Sequence, residues 1–182
     1  KEHFIYLMLS KPMQEGVEYS IHFPGLAESD DRAHLTFHSF RERSEALHVN
    51  QLGYLPNAPV KYGYIYHWAG DLGGIDFSEY ADRHFYLINV NTGAMSFSGP
   101  VRYRKSAENA ETIDQQEEET PDGNFLGADV WECDFSRVTK PGEYVLAIEG
   151  IGTSFPFRIS SMVYHQPFRS VMRGLARLAR DE

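Results

Sequence analysis

Along most of the chain, apolar and polar positions alternate with a period of two, in short runs separated by turn residues. "FIYLMLS", "VEYSIHF", "HLTFHSF", "ALHVNQ", "KYGYIYHW", "HFYLINV", "VRYR", "DVWECDF", "EYVLAIEG" and "SFPFRIS" each read as a strand, which predicts an all-β chain. The alternation is clearest near the end. Trp131, Cys133 and Phe135 share one face with Glu132 and Asp134 opposite, and Phe155, Phe157 and Ile159 share a face with Pro156 and Arg158 opposite. One buried and one wet face per strand is the signature of an antiparallel sandwich.

The turns between these runs carry their own chemistry. "NVNTGAM" sets Asn91, Thr92 and Gly93 in a hairpin where Gly93 takes positive φ, and "TKPGEY" places Pro141 and Gly142 in a type II turn. Pro156 cannot donate to a ladder, so its strand is expected at a sheet edge. Tyr144, just after Gly142 and Glu143, fits the corner position where a tyrosine at a strand start bonds the backbone upstream.

Two segments break the period. Between Lys105 and Gly127 the chain is polar and acidic, including "QQEEETPDGN", and reads as a long, mobile surface loop. From Ser160 onward the period becomes helical. Phe168, Val171, Met172, Leu175, Leu178 and Ala179 form one stripe and Arg169, Arg173, Arg177 and Arg180 another, with Pro167 tolerated in the first turn. Such a stripe needs an apolar partner, and truncation before that partner is the reading preferred over packing on the chain's own sandwich.

Composition narrows the function. The 182 residues are 42% hydrophobic, enough for a core, and 26 acidic against 17 basic residues give a formal charge of -9. That balance argues against nucleic acid and anionic membranes as partners and leaves neutral sugars open. The single cysteine, Cys133, excludes an intrachain disulfide. "FIYLML" is too short to span a bilayer and lacks the flanks of a signal peptide. A chain that starts on such a run without methionine is expected to be a piece of a longer polypeptide.

Taken in order, "HVNQLGYLPNAP", "WAGDLGGIDFSEYADRHFYLINVNTG", "VWECDFSRVTKPGEYVLAIEGIGTSFPFRIS" and "VYHQPFRSVMRGL" resemble the N-terminal immunoglobulin-like module of family-nine glycoside hydrolases, the cellulase-type enzymes. The resemblance runs from Leu47 to about Leu175, and the order of the motifs is more specific than any one of them. It implies an immunoglobulin-like β-sandwich over residues 45–159, preceded by a β extension or the tail of another module over residues 1–44. Residues 160–182 would be the linker and first helix of an α/α catalytic barrel absent from this chain. It further implies a non-catalytic role within a polysaccharide-degrading enzyme, secreted or periplasmic, with Tyr164, Phe168, Val171, Met172 and Leu175 at the inter-domain interface.

The chemistry of that family needs a base from an Asp-Ala-Gly-Asp motif and a distant acid. The nearest match here, Trp68, Ala69, Gly70 and Asp71, lacks the leading aspartate, so Asp71 reads as a turn residue. Glu117, Glu118 and Glu119 sit in the polar loop, where nothing would set their pKa values apart. No catalytic pair is expected.

Tyr62, Tyr64, Tyr66 and Trp68 alternate on one strand face. Aromatic rows can stack on sugar rings, which supports an alternative role as a carbohydrate-binding module. The economical reading buries the row instead, with Gly63, Ile65 and His67 facing outward. His34 and His38 share a strand face but lie too far apart to hold one metal, so no metal site is expected. Asp122, Gly123 and Asn124 with the nearby glutamates could take calcium, although the spacing of an EF-hand loop is absent. Ser136, after Asp134 and Phe135, reads as a turn hydroxyl. Otherwise no cofactor is called for.

Overall fold

In a computed structural model of the chain, residues 5–26, 31–110 and 123–178 are described. Their elements are β1 (Glu18–His22), β2 (Arg32–Thr36), β3 (Leu47–His48), β4 (Tyr62–Ile65), β5 (His84–Asn89), β6 (Met95–Lys105), β7 (Val130–Asp134), β8 (Gly142–Ile148), β9 (Gly152–Thr153), β10 (Phe157–Ile159) and α1 (His165–Leu178). The expected all-β, immunoglobulin-like sandwich is what forms.

The strand order is β10-β8-β5-β6-β7-β4-β3, with β9 pairing to β8. Every pairing within strands is antiparallel. The eleven-residue β6 turns this path into two layers: Met95 to Pro100 pair with β5, and Val101 to Lys105 pair with β7. A bridge from Tyr54 to Ile159, made by Tyr54 N–H donating to the Arg158 carbonyl (2.8 Å), ties the turn after β3 to β10. The layers therefore meet again at the far side.

Between them lie Phe85, Leu87, Leu146, Ile148, Phe157 and Ile159 from one layer and Leu47, Ile65, Trp131, Cys133 and Phe135 from the other. Burial of each such side chain contributes about 1.5–3 kcal/mol. In this setting burial also raises the Cys133 thiol above its ordinary pKa, so it acts as a small apolar residue.

The tyrosine corner forms as expected: Tyr144 is fully buried and its hydroxyl donates to the Lys140 carbonyl at 3.0 Å. Gly93 takes φ 67° in the β5–β6 hairpin. Gly142, by contrast, is not among the residues with positive φ, so the Pro141–Gly142 turn is not type II. The fit there is tight, since a Cβ would sit 3.0 Å from the Tyr144 ring. Strand β10 is at the edge, as Pro156 requires, but it starts only at Phe157, leaving Phe155 exposed.

The N-terminal region departs most from the alternation pattern. The described part of "FIYLML", residues 5–9, is not a strand: among the described residues it pairs with nothing in a ladder, and it stays exposed, with Tyr6 making an edge contact to His67. Periodicity alone cannot create a strand without an open neighbouring edge. "ALHVNQ" shortens to the two residues of β3. β1 and β2 pair with each other as a separate two-stranded sheet. It is linked to the sandwich by Glu15, which accepts from Ser39 N–H at 2.9 Å, and by the Ser39 hydroxyl, which accepts from Gly150 N–H at 2.9 Å. Phe40 adds an edge contact to Tyr86.

Candidate binding and docking surface

The stretch around "HVNQLGYLP" organises the surface. Asn50 N–H donates to the Tyr54 hydroxyl (2.9 Å), which donates in turn to the Tyr62 carbonyl (2.6 Å). Burial pushes that hydroxyl's pKa up to about 12, keeping it a neutral donor. Gly53 takes φ 104°, and a Cβ there would lie 2.2 Å from the Arg158 carbonyl oxygen, so only glycine lets the turn press against β10. Lys61 is buried and caps the next turn, donating to the carbonyls of Pro56 (3.0 Å) and Ala58 (2.9 Å). Burial lowers its pKa against the opposing pull of Asp134. Ser136 serves as a turn hydroxyl, accepting from Lys61 N–H at 2.9 Å.

The expectation that Tyr62, Tyr64, Tyr66 and Trp68 are buried is overturned: Gly63 and Ile65 face the core, the tyrosines lie partly exposed on the outer face of the β3-β4-β7 layer, and Trp68 is exposed. The reason is register. Tyr64 is paired with His48 on one side and Glu132 on the other, both outward, whereas Ile65 is paired with Leu47 and Trp131, both inward.

The row is not one flat platform either. Tyr62 and Tyr64 meet at 69°. The His48 ring stacks on Tyr66 at 3.8 Å and 8°, with Nε2–H donating to the Tyr66 carbonyl at 3.0 Å. This stack forms a ridge between two grooves. One, of 410 Å³, is lined by Val49, Tyr54, Val60, Tyr62 and Tyr64. The other, of 450 Å³, runs between Tyr66, His67 and Trp68 on one side and Phe125 and Leu126 on the other.

Across the Gly53 turn from the tyrosines is α1. The Tyr164 hydroxyl at its start donates to the Gly53 carbonyl at 3.3 Å, and a 630 Å³ groove runs between Leu52, Pro156, Phe157, Met162, Val163 and Pro167. Phe168, Val171, Met172 and Leu175 are all exposed, from 63% for Phe168 to 48% for Met172. The helix carries Arg169, Arg173 and Arg177 and no acidic residue.

The remaining candidates scatter. Asp71 sits on an exposed single turn, Gly70–Leu72. Glu117, Glu118, Glu119 and Asp122 lie outside the described residues, as do Ala179 and Arg180. The Asn124 side chain, offered for calcium, is buried and donates to the carbonyls of Ser106 and Ala128, both at 3.0 Å. His34 lies on β2 and His38 beyond its end, facing Glu18 (3.7 Å) and Glu15 (3.1 Å) respectively. Among the described residues no group of three or more His, Cys, Asp and Glu could hold a metal, and no helix is long and apolar enough to cross a membrane. Reading the sequence missed Phe125 and Leu126; the signal was an apolar pair inside a polar stretch.

Residues 42–153 match the model of the cellulase N-terminal ig-like domain. A 46-residue stretch is 41% identical to Endoglucanase D of Acetivibrio thermocellus, spanning 25% of this chain and 7% of that protein. Among solved structures, the chain is similar to a metagenome-derived glycoside hydrolase family 9 endoglucanase (TM-score 0.47, 20% identity, 66% of this chain and 18% of that one). It is also similar to the structure described as Bacteroides ovatus GH9 (TM-score 0.42, 23% identity, 66% and 16%). With a family model covering more than half of its residues, this chain belongs to the family of cellulase N-terminal immunoglobulin-like domains.

Proposed function

We propose that the chain is a non-catalytic module that packs against, and stabilises, the catalytic domain of a secreted or periplasmic polysaccharide-degrading glycoside hydrolase of endoglucanase type. The observation that carries this reading is the apolar stripe of α1, four large side chains left in water. Exposed stripes of this kind mark interaction sites. The sandwich has its own core and leaves the stripe uncovered. Basic Arg169, Arg173 and Arg177 flank the stripe on a chain whose formal charge is -9, so the surface that covers it is expected to be apolar with an acidic rim.

The test uses a double variant, Val171→Glu with Met172→Glu, made both in this chain and in a polypeptide that continues into the catalytic domain. In this chain the change should stay within about 0.5 kcal/mol, as for exposed positions. In the longer polypeptide, loss of two buried side chains should cost about 3 kcal/mol and lower the melting temperature of the catalytic unit. Unchanged melting in the longer polypeptide would overturn the docking role.

A further inference from the structure

The second groove is built differently from the docking face. Its wall is Trp68, 52% exposed, at the base of a tight loop held by four backbone hydrogen bonds: Ala69 N–H to the Gly73 carbonyl (2.9 Å), Ile75 N–H to the His67 carbonyl (2.9 Å), Gly73 N–H to the Gly70 carbonyl (2.9 Å) and Leu72 N–H to the Ala69 carbonyl (3.1 Å). The benzo ring of its indole lies directly on two glycines. A Cβ on Gly127 would come within 2.7 Å of it and one on Gly73 within 3.8 Å, and both glycines hold positive φ. Opposite, Phe125 and Leu126 are held by Asn124, whose buried amide spans two carbonyls while its Oδ1 accepts from Leu126 N–H at 3.0 Å. A large indole is thus seated on a rigid backbone floor with half its surface in water, facing a second exposed aromatic side chain.

We propose that this groove binds a pyranose ring of an uncharged β-linked glucan, with Trp68 as the stacking surface. A pyranose with equatorial hydroxyls has an apolar C–H face that matches an exposed indole, and its hydroxyl edge requires polar groups beside the ring. His67, whose ring also meets Tyr6 edge-on, is among the residues that line the groove. The 450 Å³ volume lies in the range of small-ligand sites, and the chain's negative charge disfavours anionic polymers. Little reorganisation is required, because both walls are already fixed by hydrogen bonds. This site goes beyond the docking role. It shares only the polysaccharide setting with that role, which guides the choice of probe.

The chain has two tryptophans, and Trp131 is 6% exposed, so an added ligand that perturbs indole emission reports on Trp68. Titration of the chain with a β-1,4-glucan hexasaccharide should give a saturable emission change. By calorimetry, Trp68→Ala should weaken binding about tenfold and Phe125→Ala several-fold, with Trp131 emission confirming the fold in both variants. No saturable change with the β-linked sugar, or equal affinity in wild type and Trp68→Ala, would overturn the site. So would protection of Trp68 from oxidation in a polypeptide carrying the catalytic domain, which would show a protein surface covering it. The Val171 and Met172 experiment reads docking by itself, so either idea can fail alone.

Discussion

Neither face of β4 carries a charged residue, yet the two have opposite fates. Inward, Gly63 and Ile65 are buried, Ile65 completely; outward, Tyr62 and Tyr64 stay partly in water although they are larger and offer more apolar area. Size does not choose the face. The neighbours do: Ile65 lies between Leu47 and Trp131, and Tyr64 between His48 and Glu132, whose carboxylate meets Arg104 at 3.0 Å. Turning β4 over would carry the hydroxyls of Tyr62 and Tyr64 into the core and leave Ile65 in water beside Glu132.

The strongest way to break this comparison is to hollow the inward face. Ile65→Ala removes a fully buried side chain among core residues of both layers and is expected to cost about 2–5 kcal/mol by chemical denaturation. A cost under 1 kcal/mol would mean the layers do not share a close-packed core. Tyr64→Ala on the outward face removes a cross-strand contact to its neighbours and should cost only about 0.2–1 kcal/mol. A larger loss would show that the tyrosine row supports the sandwich itself.

The same contrast explains what could be read from the sequence. Strands β5, β7 and β8 were legible because one face of each is uniformly apolar, and the Tyr144 corner because its turn residues precede it. The α1 stripe was legible for the same reason at helical spacing. On β4 both faces are apolar or aromatic, so a period of two states only that the faces differ and does not say which is inside. "FIYLML" has strand composition, but pairing depends on a partner edge that no local pattern encodes. Trp68 was legible as an aromatic, whereas its facing wall, Phe125 and Leu126, was hidden because long-range folding brings two distant loops together.

The subtlest prediction concerns how wet the outward face is, and His48 reports it. Burial is the largest influence on its imidazole and holds its pKa below the ordinary 6.5; nearby His67 acts in the same direction and the Tyr66 carbonyl opposes both. The unfolded chain therefore takes a proton on this ring near pH 6.5, and the folded chain does so only at lower pH. The stability associated with the neutral ring is complete above pH 6.5 and is lost as pH falls through the folded-state pKa. His48→Gln removes that titration. Urea midpoints compared between pH 7.5 and 5.0 should fall less in the variant than in wild type, while the exposed pairs of His22 with Asp31 and His38 with Glu15 contribute equally to both and cancel in the difference. Parallel pH curves would place the ring in bulk-like solvent, and the stack on Tyr66 would then be no barrier between the two grooves.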